Sequence, residues 1–182
     1  MGTIFLDIET SGLNFEEDSV ILIQLQVDNN TIEYFISWDS NEEQILREYF
    51  QRIKEIQEKQ QTTWCVGFNS LKFDIPFLFN RIVHYNIASP YEIYNILYSN
   101  LINIDLKQIF YPSNNWLLKG LTWSNVLKAY GFSPKISEGE EIPELYKKGN
   151  YDRIIDYVKS EFYAMIDVYW RVRKGEINKI SE

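Results

Sequence analysis

An apolar run that ends in two carboxylates one residue apart, Phe5-Leu6-Asp7-Ile8-Glu9, sets the strongest constraint on this chain. Strand side chains alternate between faces, so Asp7 and Glu9 point one way while Leu6 and Ile8 point the other. Ser11-Gly12 then supplies a turn signal. Two neighbouring carboxylates on a mostly buried strand end repel one another and are costly to keep ionised without a cation. A hard divalent ion with oxygen ligands, Mg²⁺ or Mn²⁺, removes that cost. The competing reading is an acidic strand edge facing water, so acids further along the chain must decide.

The 182 residues suit one well-cored domain, 1–182. At 45% hydrophobic and 16% aromatic the chain is expected to pack rather than stay disordered. No apolar run approaches the ~20 residues of a membrane span, and the start lacks a signal-like segment. The single cysteine, Cys65, lies in an apolar run and reads as a buried, inert thiol. A cytoplasmic protein is expected. With 26 acids against 18 bases the net charge is −8, which argues against avid, non-specific coating of nucleic acid. A nucleic-acid role then needs a local site with metal ions supplying positive charge.

Val20 to Val27 and Thr31 to Ile36 read as strands joined by a tight Asp28-Asn29-Asn30 turn. With the first strand they form an antiparallel meander. A helix follows, with Ser40 as N-cap and Glu43 three residues on. Its apolar residues Ile45, Leu46, Tyr49, Phe50, Ile53 and Ile56 recur at helical spacing. Thr62 to Phe68 reads as a buried strand parallel to the first, across that helix. A second helix runs from Ile75 to about Asn86, Ile102 to Leu106 is a fifth strand, and a helix spans about Leu121 to Tyr130, closed by Gly131. Ser133 to Glu141 is polar and acidic and reads as a mobile loop, with a flap over a site as the alternative. Tyr151 to Arg173 is a long last helix. This order predicts an α/β fold with a five-stranded mixed sheet flanked by helices.

Asn69 to Leu78 follows the central strand, where open α/β sheets place ligands. Taken alone, Asp74 in this segment reads first as a helix N-cap, and Asn69 as an ordinary turn residue. In the last helix an apolar stripe runs through Ile154, Val158, Met165, Val168 and Val172, and Glu161 interrupts it. An acid turned toward the protein body needs a metal or a basic partner. Tyr157 lies one turn before it.

Three segments now carry a resemblance. Phe5 to Leu13, containing Asp7 and Glu9, resembles the first motif of the DEDD superfamily of 3′→5′ exonucleases. Val66-Gly67-Phe68-Asn69-Ser70-Leu71-Lys72-Phe73-Asp74-Ile75-Pro76-Phe77-Leu78 is similar to the second motif as found in proofreading domains of family B DNA polymerases. Gly149 to Glu161 resembles the third. The segments come in the right order and span nearly the whole chain. Members carry a His five residues, or a Tyr four residues, before the last acid. Tyr157 favours the tyrosine (DEDDy) branch, because the only histidine, His84, lies elsewhere. The departure is Glu161, where the family has Asp. A register through Tyr163 and Asp167 restores the family spacing but faces away from the apolar stripe.

The resemblance implies a ribonuclease H-like fold and a stand-alone exonuclease. It implies that Asp7, Glu9, Asp74 and Glu161 bind two Mg²⁺ or Mn²⁺ ions, with Tyr157 orienting the attacking water. It further implies that Thr10 and Leu13 contact the terminal nucleotide and that Asn69 and Phe73 line the strand path. The expected substrate is the 3′ end of single-stranded DNA, with RNA as an alternative. A weakly catalytic binding module is the other alternative, favoured by Glu161 and the net acidity. Asp105, after the fifth strand, is expected to be structural or to support the site from behind its ligands. The aromatic run Tyr91 to Tyr98 reads either as a homodimer surface or as a core helix.

Overall fold

The computed structural model describes residues 2–59, 63–132 and 141–180. The chain divides into two compact units, one through Ile104 and one from Asp105 onward.

The first unit is built on a sheet. Its elements are β1 (Gly2–Thr10), β2 (Val20–Val27), β3 (Glu33–Ile36), α1 (Glu42–Lys59), β4 (Thr63–Gly67), α2 (Asp74–His84) and α3 (Pro90–Tyr94). A π-helical turn, Asn95–Ser99, leads into β5 (Leu101–Asp105). The sheet order is β3-β2-β1-β4-β5. Pairs β1–β2 and β2–β3 are antiparallel and β1–β4 is parallel, which gives the expected mixed sheet with the first strand at its centre. The apolar row of α1, from Ile45 to Ile56, is buried against this layer together with Ile4, Leu6, Ile8 and Ile23. Burying a side chain of that size stabilises by about 1.5–3 kcal/mol, so one helical face fixes α1 to the sheet.

Local details differ from the sequence reading. Asn41, not Ser40, caps α1: its Oδ1 accepts the Gln44 N–H at 3.0 Å, because the chain turns into the helix one residue later than expected. β3 begins at Glu33 rather than Thr31, and β5 spans 101–105 rather than 102–106. The Tyr91 to Tyr98 run is divided. Ile93, Ile96 and Leu97 are buried, while Tyr91 and Tyr94 are exposed, Tyr94 stacking on Tyr98.

The second unit is helical: α4 (Leu106–Phe110), α5 (Trp123–Ala129), α6 (Ile142–Lys147) and α7 (Tyr151–Arg173). Asp105 caps α4, its Oδ1 accepting the Lys107 N–H at 2.9 Å, in keeping with a structural role. Thr122 caps α5 by accepting the Asn125 N–H. Gly131 closes α5 at φ +81, a region open to glycine, and the Phe132 N–H then reaches the Leu127 carbonyl at 2.9 Å. The C-terminal segment is tied to α5: the Tyr130 hydroxyl donates to the Glu176 carbonyl at 2.6 Å and Asn178 Nδ2 to the Ala129 carbonyl at 2.8 Å. Of the polar stretch Ser133 to Glu141, residues 133–140 lie outside the described residues. No described helix is long and apolar enough to cross a membrane.

Candidate active site

In β1 the predicted alternation holds. Leu6 and Ile8 are buried, and Asp7 and Glu9 stand half-buried on the opposite face. β4 covers one edge of β1 only as far as the pair Phe5 and Val66. Beyond that pair the Ile8 N–H needs another acceptor, since an orphaned buried N–H costs about 1–3 kcal/mol. Asp74 supplies it: its Oδ1 accepts the Ile8 N–H at 3.1 Å, across 66 residues of sequence. The third acid is thereby fixed to the residue that separates the first two.

The backbone after β4 makes this possible. Gly67 admits the turn because a Cβ there would lie 2.7 Å from the Ser70 Cβ and 3.1 Å from the Leu6 carbonyl oxygen. Asn69 takes a left-handed conformation at φ +61, and its carbonyl accepts the Lys72 and Phe73 N–H groups at 3.1 and 3.0 Å. Asn is among the few side chains that adopt this region readily. The N-cap position of α2 falls to Phe73, so Asp74 is the first helical residue and is not the cap. Asp74 is 4% exposed. Its carboxylate and, above all, burial push the Cys65 thiol up to about 12, with burial the larger cause. Burial likewise raises the Tyr49 hydroxyl well above its ordinary value, the neighbouring Cys65 and Asp74 adding to it.

The other predicted residues fall as follows. Thr10 is buried and its hydroxyl donates to the Gly12 carbonyl at 2.5 Å, holding the turn after β1. Leu13 in that turn is 83% exposed. Asn69 and Phe73 are half-buried, and Phe73 tilts against Phe77 at 5.5 Å. On α7 the buried row runs Ile154, Val158, Phe162, Met165 and Tyr169. Phe162 thus takes the stripe position that the sequence reading gave Glu161, and Glu161 sits half-buried on the flank beside it. Tyr157 is half-buried one turn earlier, its carbonyl accepting the Ser160 hydroxyl at 2.8 Å. The alternative register is exposed: Tyr163 faces water, and Asp167 lies 3.6 Å from Arg171. His84 is exposed and edges onto Tyr85.

The sequence reading missed two buried polar groups. Gln24 on β2 donates from Nε2 to Asp7 Oδ2 at 3.2 Å. Glu42 and Arg81 form a buried pair joining α1 to α2. Each had a signal: an amide inside the apolar run Val20 to Val27, and an arginine at helical spacing from Phe77 and Leu78.

As donors, Asp7, Glu9 and Asp74 are all oxygen ligands, the set a hard divalent ion takes. Among the described residues no three His, Cys, Asp or Glu side chains are gathered closely enough to hold a metal ion as they stand. Like-charged carboxylates have no reason to converge without a cation between them, so the donor set fits by chemistry and by its shared attachment to β1.

Comparison with known proteins agrees with this architecture. The family B DNA polymerase of the hyperthermophilic archaeon Pyrobaculum calidifontis superposes with a TM-score of 0.73 at 16% identity, over 94% of this chain and 24% of the polymerase. Zinc-bound E. coli exonuclease I in complex with single-stranded DNA gives 0.54 at 14% identity, over 89% of this chain and 42% of that one. The chain therefore spans about a quarter and under half of these structures. An uncharacterized protein of Methanocaldococcus jannaschii is 27% identical over 150 residues, 81% of this chain and 78% of its own length. The RNase_H superfamily matches residues 4–172, nearly the whole chain, and the chain belongs to that superfamily.

Proposed function

We propose that the chain is a metal-dependent 3′→5′ exonuclease of the DEDDy type acting on single-stranded DNA. The observation that carries this reading is the Asp74–Ile8 hydrogen bond of 3.1 Å, which fixes a third acid beside Asp7 and Glu9. Three carboxylates tied to one strand segment are costly as charges, and a hard divalent cation taking oxygen ligands offsets that cost. In this reading Asp7, Glu9, Asp74 and Glu161 hold Mg²⁺ or Mn²⁺. When bound, such ions supply an activated water and neutralise charge on the phosphate.

The chain's own residues do the rest. Asp74 stays anchored by the Ile8 N–H. Tyr157, from its position one turn before Glu161, orients the attacking water. The exposed side chain of Leu13, on the turn that the Thr10 hydroxyl holds, bears with Thr10 on the terminal nucleotide. Phe73 stacks on a base, which needs no sequence-specific contact. Single-stranded DNA is favoured over RNA because the second motif is polymerase-like and because E. coli exonuclease I of the same fold is seen with single-stranded DNA.

A second reading, a weakly catalytic binding module, draws on one observation: the acids are not gathered into a metal-holding cluster among the described residues. The two are separated by Asp74→Asn. Asparagine still accepts the Ile8 N–H but loses the charge, so the fold is kept and metal-dependent digestion of a single-stranded DNA oligonucleotide falls by ~10²-fold or more. Unchanged digestion in Asp74→Asn, or none by the wild type with either metal, contradicts the exonuclease reading. Running the RNA oligonucleotide in parallel settles the sugar preference.

A further inference from the structure

The antiparallel register sets Gln24 of β2 directly opposite Asp7 of β1, so the two side chains are neighbours on one face of the sheet. Gln24 is fully buried, in a strand whose eight residues are all buried. A primary amide in such a place costs free energy unless both its ends are hydrogen-bonded. Gln24 meets half of that requirement. Its Nε2 donates to Asp7 Oδ2 at 3.2 Å, while its Oε1 is buried with no hydrogen-bond partner. The opposite amide orientation would set a carbonyl oxygen against a carboxylate, so the charge on Asp7 fixes which end faces it. For stability alone, a methionine of similar shape would serve this position better.

Gln26, two residues on, is the internal control. It is buried, its Oε1 also lacks a partner, and its Nε2 donates to the Asp28 carbonyl at 3.1 Å. Its amide serves the β2–β3 turn, whereas that of Gln24 serves Asp7.

We infer that Gln24 is a positioning residue for Asp7. Its N–H sets the rotation of the Asp7 carboxylate about its terminal bond, so the group is presented to a divalent cation already oriented. This assignment rests on the metal-dependent reading proposed above. Partners that orient a metal ligand typically account for a ~10–100-fold difference in metal affinity.

The test is titration of Mn²⁺ into the metal-free full chain by calorimetry, with thermal melts of the same samples. It compares the wild type with Gln24→Met and Gln26→Met, and uses Gln24→Leu if the methionine variant does not fold. Gln24→Met is expected to weaken Mn²⁺ binding by ~10-fold or more while the metal-free melting midpoint holds or rises. Gln26→Met is expected to leave Mn²⁺ affinity unchanged. A merely structural Gln24 predicts the reverse, a lower melting midpoint with unaltered affinity, and that result overturns the assignment alone. A wild type that binds no Mn²⁺ overturns the metal reading and this assignment with it.

Discussion

Replacing Arg81 by methionine should destabilise the first unit far more than its single ion pair would at a surface. The guanidinium donates Nε to Glu42 Oε1 at 2.8 Å and Nη2 to Oε2 at 2.7 Å, and the two side chains are 6% and 7% exposed. Glu42 also accepts the Val20 N–H at 2.8 Å and the Tyr85 hydroxyl at 2.9 Å. One carboxylate thus ties the start of α1 to α2 and to the start of β2. Arg81→Met leaves that carboxylate buried with neutral donors alone, at a cost of about 3–5 kcal/mol. At about 2–4 °C per kcal/mol for a chain of this length, the melting midpoint should drop by roughly 6–20 °C. Circular dichroism melts at neutral pH measure it. The double variant Glu42→Gln/Arg81→Met removes both charges while the glutamine carbonyl still accepts the Val20 N–H. It should recover most of the loss, because neutral replacement of a buried pair is often harmless. A single-variant loss under about 1 kcal/mol, the scale of an exposed pair, would refute the reasoning, as would a double variant no better than the single.

Three further outcomes follow from named contacts. Gly67→Ala should cost about 1–3 kcal/mol by overpacking, because its Cβ meets Ser70 and the Leu6 carbonyl; urea unfolding at wild-type stability would contradict this. Cys65, normally ionising near 9.0 and pushed up to about 12 chiefly by burial, keeps its proton in the folded state where the unfolded thiol has lost it. Its contribution to stability is therefore present below pH 9 and lost as pH rises toward 12, and a thiol reagent at pH 8 should react only after unfolding. Glu161→Ala should lower nuclease activity by ~10²-fold or more, whereas Asp167→Ala, at an exposed acid beside Arg171, should leave it unaltered. The reverse pattern in a digestion assay would move the last acid to the other register.

Much of this was legible because the signals are short-range. β2 and α7 fall on the predicted residues, since an apolar run bounded by a turn and a 23-residue amphipathic stretch each carry their own boundaries. The parallel pairing of β4 with β1 followed from a helix lying between two buried strands. The sequence alone left Asp74 open between N-cap and site, because only the fold shows that the Ile8 N–H is uncovered by β4 and must find an acceptor. Glu161 was read one position off the buried row, since an apolar stripe in sequence cannot say whether Phe162 or its neighbour faces inward. Gln24 and Arg81 stand out in the sequence as polar residues at apolar positions, but their partners do not, since these lie 17 and 39 residues away.

The most direct test of the central claim is digestion of one single-stranded DNA oligonucleotide labelled at the 3′ end and, separately, at the 5′ end. It is run with Mg²⁺, with Mn²⁺ and with chelator, beside Asp7→Ala. The account predicts a ladder of shortening products from the 5′-labelled strand and immediate release of the label as mononucleotide from the 3′-labelled one, both abolished by chelator and by the variant. Folded wild-type protein that yields neither pattern, or that shortens the strand from its 5′ end, would contradict it.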